Sequence, residues 1–153
     1  MYKKYILIGV ILSILLISSE AKILTIDEML NISSKRITSI TTKEVITILK
    51  RDPNIKLIDI RTKSDILKQG GFIKANNVSR IPRDKLEFLI SNEVQENETF
   101  IVYCYDGKIS QLATKQLQDM GYKNVLHYKD SFKGWEKAKQ KISSLEPVKN
   151  QQM

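Results

Sequence analysis

Of 153 residues, one is cysteine, Cys104, and one is histidine, His127. A single thiol excludes an internal disulfide and any multi-cysteine metal site. The lone histidine sits on a short apolar stretch far from Cys104 in sequence. A triad-like role is not expected of it, and it reads as a surface or sheet-edge residue. No cysteine stands near residue 21, which excludes a lipid-modified cysteine at the exit of a leader. The lysines are scattered, without aromatic–basic interleaving or a recognition motif, so nucleic acid is not an expected partner. No repeat or low-complexity segment is present.

What is there looks globular: 42% hydrophobic and 27% charged residues in a length suited to one domain. The net charge is +8. A surface of that sign favours small anionic partners and weakly favours membrane surfaces.

The N-terminus has its own pattern. "MYKK" is basic, "YILIGVILSILLI" is apolar or small, and "SSEA" is a small-residue exit in which Ser19 and Ala21 fit a cleavage site. Residues 1–21 are therefore expected to be a signal peptide, with the mature chain starting near Lys22. The run is short of the ~20 residues a spanning helix needs. An uncleaved inner-membrane anchor is the alternative. Either way the domain is expected outside the cytoplasm, in a bacterial periplasm, and any membrane contact runs through that N-terminus.

Residues 22–36 form an arm with a short helix, because Thr25 and Glu28 have capping-box spacing. Beyond it, strand and helix patterns alternate. "ITSI", "IKLIDIR", "NNVSRIP", "TFIVYC" and "NVLHY" read as strands. "TTKEVITILKR", "KSDILKQ", "RDKLEFLISNEV", "SQLATKQLQDMGY" and "SFKGWEKAKQKISS" read as helices. This alternation predicts an α/β domain over residues 37–142 with a mainly parallel sheet of about five strands, covered by helices on both faces. Residues 143–153 are expected to be a frayed tail.

In such folds ligands sit beyond the carboxyl ends of the strands. Two strong strands end there, one at Asp59 and Arg61, the other at Cys104. After Cys104 come Tyr105, Asp106, Gly107, Lys108, Ile109 and Ser110, with a helix expected to begin near Ile109 or Ser110. A short loop entering a helix can turn its N–H groups inward, and the helix N-terminus adds partial positive charge. Those donors stabilise a thiolate over a thiol. Gly107 allows a backbone angle other residues resist, Lys108 could add a charge, and Ser110 is the expected N-cap. A buried, inert cysteine is the competing reading. For Asp59 and Arg61 the expected role is structural, with Arg61 paired to Asp65 and Asp59 bonded to nearby amides. Arg80 and Arg83 flank Ile81-Pro82 and could reach the mouth of the site. Phe132 and Trp135, one turn apart, are expected core residues.

Five pieces in order resemble the rhodanese-like sulfurtransferases, exported and bacterial in type. They are "LIDIR" (57–61), "GGFIKANNVSRIPR" (70–83), "FIVYCYDGKIS" (101–110 with the preceding phenylalanine), "LATKQLQDMGYKNV" and "SFKGWEKA" (131–138). The resemblance implies a rhodanese fold and a ping-pong transfer of sulfane sulfur. Thiosulfate or polysulfide would be the donor, Cys104 would carry the persulfide, and a thiol or cyanide, including a protein thiol, would accept it. No metal or other cofactor is implied. A low-turnover relay or binding module is the alternative. The chain departs from the family pattern at Ile109, where an arginine is frequent, and at Phe72, Ala75 and Asp130-Ser131, where the family has histidine, glycine and a glycine pair. The rhodanese-fold phosphatases carry an arginine where this loop has Ser110.

Overall fold

The computed structural model describes residues 22–145. The expected leader, residues 1–21, and residues 146–153 lie outside the described residues. Among the described residues no helix is long and apolar enough to cross a membrane.

Helix α1, Ile26–Ser34, opens on the Thr25–Glu28 capping box. Strand β1, Thr38–Ile40, leads to α2, Thr42–Arg51, where Thr41 and Glu44 make a second box; Thr41 N–H donates to Glu44 Oε2 at 2.7 Å. Each box satisfies two backbone donors that a helix start leaves open. Strand β2 is Lys56–Asp59 and α3 is Lys63–Lys68. Two short strands follow, β3, Phe72–Ile73, and β4, Val78–Arg80. A single α-turn, α4, Leu86–Leu89, is flanked by 3-10 turns at Arg83–Lys85 and Ile90–Asn92. Then come β5, Phe100–Tyr103; α5, Lys108–Asp119; β6, Val125–Tyr128; α6, Ser131–Lys137; and β7, Ile142–Ser143.

Five strands form one wholly parallel sheet in the order β1-β6-β5-β2-β4. Its two faces follow from the period of two. Ile58, Phe100 and Val102 point to one side and pack on Leu86, Ile90, Ala113 and Leu117. Leu57, Ile101 and Tyr103 point to the other, against Val45, Phe132 and Trp135. Helices thus cover both faces, which is why β5 is buried at every residue and reads as a continuous apolar run. Each fully buried large side chain contributes about 1.5–3 kcal/mol.

Two segments differ from the sequence reading. The expected helix over 83–94 is broken into a single α-turn between two 3-10 turns, and the chain enters it with Ile81 N–H donating to Asp59 O (2.9 Å) and Arg83 N–H to Ile60 O (3.0 Å). Those bonds tie the chain to the end of β2, and the turns that follow still bury Leu86, Ile90 and Val94. The last helix stops at Lys137. The chain then returns as β7, antiparallel to β3, with Ser143 beside Phe72. Ser143, expected to begin the frayed tail, is therefore held in a two-stranded ribbon. Gly71 makes the approach possible: a Cβ there would lie 2.3 Å from Ser143 O.

Candidate active site

Cys104 follows β5 directly and is nearly buried. Tyr105, Asp106 and Gly107 form the turn, and α5 begins at Lys108, earlier than the sequence suggested. The N-cap is Gly107, at φ +91°, rather than Ser110. Its conformation is enforced by its surroundings, since a Cβ at Gly107 would meet Lys129 O at 2.0 Å. With that turn made, Gly107 N–H points at Cys104 Sγ (3.2 Å) and Ser110 N–H does so at 3.4 Å. The thiol donates to Ser110 Oγ at 3.3 Å, and that hydroxyl donates to Gly107 O at 3.1 Å. The sulfur therefore sits in a cup of amides and a hydroxyl at the positive end of a twelve-residue helix.

Two side chains that sequence reasoning did not place at the site complete the cup. His127 is not on the surface or at a sheet edge: β6 lies between β1 and β5, and the ring is buried beneath the loop. Its Nε2 lies 2.9 Å from Gly107 O and its Nδ1 3.0 Å from Ser39 Oγ. A carbonyl only accepts, so Nε2 carries the hydrogen. Burial pushes the ring below its ordinary value of 6.5, against the opposing pull of Gly107 and Asp130. In the neutral ring Nδ1 then accepts from Ser39. Ser131 is the second. Its oxygen accepts from Cys104 N–H (3.2 Å), donates to Tyr128 O (2.8 Å) and lies 3.9 Å from Sγ. It is fully buried and adopts φ +51°, a left-handed angle costing on the order of 1 kcal/mol outside glycine. Only the sheet order reveals His127, and only the departure at Asp130-Ser131 hinted at Ser131.

The neighbouring strand end is organised differently. Arg61 pairs with Asp59 and not with Asp65: Nη2 lies 2.6 Å from Asp59 Oδ2 and Nε 2.9 Å from Oδ1. In extended backbone, residues i and i+2 share a side, which brings these two together. Arg61 also donates to Gln69 Oε1 and Gly71 O, each at 3.0 Å, and lies 4.1 Å over the Phe132 ring. Asp59 also accepts from Arg61 N–H. Asp65 instead accepts from the Thr62 hydroxyl.

Cys104 opens onto a cleft of about 820 Å³ walled by Arg61, Arg83, Tyr105, Asp106 and Ile109, among others. Lys108 is not part of that wall, and its N–H bonds to Asp106 Oδ1. Arg80 faces a separate recess and lies 4.7 Å over Phe72. Arg83 reaches the cleft, and its Nη1 donates to both carboxylate oxygens of Glu87, at 2.7 and 2.8 Å. Both arginines of the wall are thus paired, while Asp65, Asp84 and Asp106 also line it. Among the described residues no cluster suited to a metal ion occurs.

Fold and site together define an α/β domain that presents one thiol on an amide-lined loop at the carboxyl edge of a parallel sheet. Residues 41–138 match the Rhodanese-like domain model, and the chain belongs to that family. A tRNA sulfurtransferase from a Shewanella species is 29% identical over 113 residues, covering 74% of this chain; the match spans only 22% of that protein's length. A Rhodopseudomonas palustris protein of unknown function, described as a possible tyrosine phosphatase, is 29% identical with a TM-score of 0.68, over 81% of this chain and 98% of that one. The polysulfide-sulfur transferase homodimer of Wolinella succinogenes shares the fold at 19% identity and a TM-score of 0.65, over 80% of this chain and 90% of that one.

Proposed function

We propose that this protein is a sulfurtransferase in which Cys104 carries sulfane sulfur as a persulfide. The Cys104 thiolate attacks the terminal sulfur of the donor, and the donor's S–S bond breaks with its electron pair leaving on the remainder. The persulfide is then attacked at its outer sulfur by a thiolate or cyanide, and the electron pair returns to Cys104 Sγ. The observation that carries this reading is the sulfur itself, held by Gly107 and Ser110 amides at the floor of an open cleft. Amides fixed before the reaction stabilise the anionic sulfur without reorganisation.

Donors of the thiosulfate and polysulfide class fit the chemistry. The cleft favours polysulfide over a compact dianion, because its wall lacks an arginine with both Nη groups free: Arg61 is bound to Asp59, Gln69 and Gly71, and Arg83 shares its Nη1 with Glu87. The same absence speaks against phosphoryl transfer, which relies on bidentate arginine contacts to the oxyanion. Ile109, exposed at the mouth, also supports a second reading, a relay module that hands its persulfide to one protein thiol. The basic, apolar and small-residue pattern of residues 1–21 supports placing the activity outside the cytoplasm, in the periplasm or anchored to the inner membrane.

Intact mass after incubation with polysulfide and, separately, with thiosulfate tests the proposal. The expected result is a gain of one sulfur that is absent in Cys104→Ser and lost on adding thiol or cyanide. A folded protein that gains no sulfur from either donor overturns it.

A further inference from the structure

Ser131 is the strained residue of the site. Its φ of +51° is an angle that L side chains resist, and its hydroxyl is wholly enclosed. Glycine would take the same angle freely. The hydroxyl occupies a junction: it receives Cys104 N–H at 3.2 Å, gives its one hydrogen to Tyr128 O at 2.8 Å, and lies 3.9 Å from Sγ and 3.5 Å from Ser110 Oγ. Rotation about the Cβ–Oγ bond alone turns that hydrogen from the Tyr128 carbonyl toward the sulfur. The oxygen keeps the Cys104 amide throughout, and no heavy atom has to move.

We propose that Ser131 is a catalytic residue whose hydroxyl turns from Tyr128 O to Cys104 Sγ as the persulfide is discharged, stabilising the sulfur as a leaving group. The inference rests on the sulfur-transfer reading above. In discharge the acceptor thiolate forms a bond to the outer sulfur, the Sγ–S bond breaks, and its electron pair settles on Sγ. Charge therefore grows on an atom that the hydroxyl can reach. Loading is affected differently. A hydrogen bond to Sγ raises the fraction of thiolate and lowers the nucleophilicity of each, so the two effects oppose one another. In discharge a stabilised sulfur simply leaves faster.

The test measures the two half-reactions separately, by quenched-flow intact mass, in wild type, Ser131→Ala and Ser131→Gly. Both variants remove the hydroxyl, and only glycine relieves the backbone angle. Discharge to a low-molecular-weight thiol is expected to slow about tenfold in both. That is less than the 10²–10³ typical of an aligned oxyanion donor, since sulfur is a weak acceptor and the contact is long. Loading by polysulfide is expected to stay within about threefold of wild type. Persulfide then accumulates at steady state, and kcat and the donor KM fall together while kcat/KM for the donor is kept. Ser131→Gly is expected to melt above Ser131→Ala while sharing its discharge defect. The proposal is overturned if both half-reactions slow alike, if discharge is unchanged, or if activity follows melting temperature across the two variants. Wild-type protein that never loads would instead overturn the sulfur-transfer reading itself.

Discussion

Adjacent parallel strands β2 and β5 end at the same edge of the sheet, and their polar residues behave in opposite ways. At the end of β2, Asp59 and Arg61 are buried and consume one another, with Gln69, Gly71 and the Phe132 ring taking up what is left of the guanidinium. At the end of β5, Cys104 is nearly as buried, yet its sulfur receives two backbone N–H groups with no charged partner and opens to the cleft. One end is a closed electrostatic knot. The other is a held but unfinished group, with room for a reaction partner. Burial alone does not separate a structural from a reactive polar group; what separates them is whether the bonding capacity is already filled.

Breaking the closed end should have the largest effect. Arg61→Ala leaves the Asp59 carboxylate buried without its partner, and is expected to cost about 3–5 kcal/mol, read from denaturant unfolding. A loss under about 1 kcal/mol, the range of exposed pairs, would show that the pair is solvated and the contrast false.

A smaller effect is expected under the loop of the open end. His127→Phe removes the Nε2 bond to Gly107 O and is expected to cost about 1 kcal/mol at neutral pH, because Ser110 and Gln111 still donate to that carbonyl. The pH dependence is the sharper readout. The folded ring resists protonation that the unfolded ring accepts near 6.5. Stability contributed by this group is therefore full above 6.5, falls as pH drops below it, and levels off once the folded ring titrates too. Unfolding curves at a series of pH values should show that decline in wild type and not in His127→Phe. An identical decline in both would assign it elsewhere.

The smallest effect concerns the rim between the two ends. Glu87→Gln frees Arg83 from a half-exposed i,i+4 pair. Loading by thiosulfate is expected to rise by about two- to threefold at low ionic strength and to return to the wild-type rate at high salt. No change at any ionic strength would mean that Arg83 does not reach the bound donor.

What the sequence disclosed divides along the same physical line. Features written in local spacing were legible: the Thr25–Glu28 capping box, the apolar run ending at Cys104, and the burial of Phe132 and Trp135. Features that depend on which strand lies beside which were not. His127 looked peripheral until β6 proved to be interior, and Arg61 found its partner two residues back along an extended strand rather than four ahead. The β3–β7 ribbon joins two-residue segments too short to carry a period. Ser131 stood out only as a departure from a glycine pair, and its meaning lies in a backbone angle that composition does not record.

The contact between Ser39 and His127, 88 residues apart in the chain, also bears on how the protein comes into being. Strand β1 emerges before β6 and must wait for it, so the floor beneath Gly107 is laid only once β6 has been made. Parallel pairings over such separations form slowly. Until then Cys104 has neither floor nor cup. The setting of the thiol is thus made by a long-range strand pairing and not by the β5–α5 segment alone.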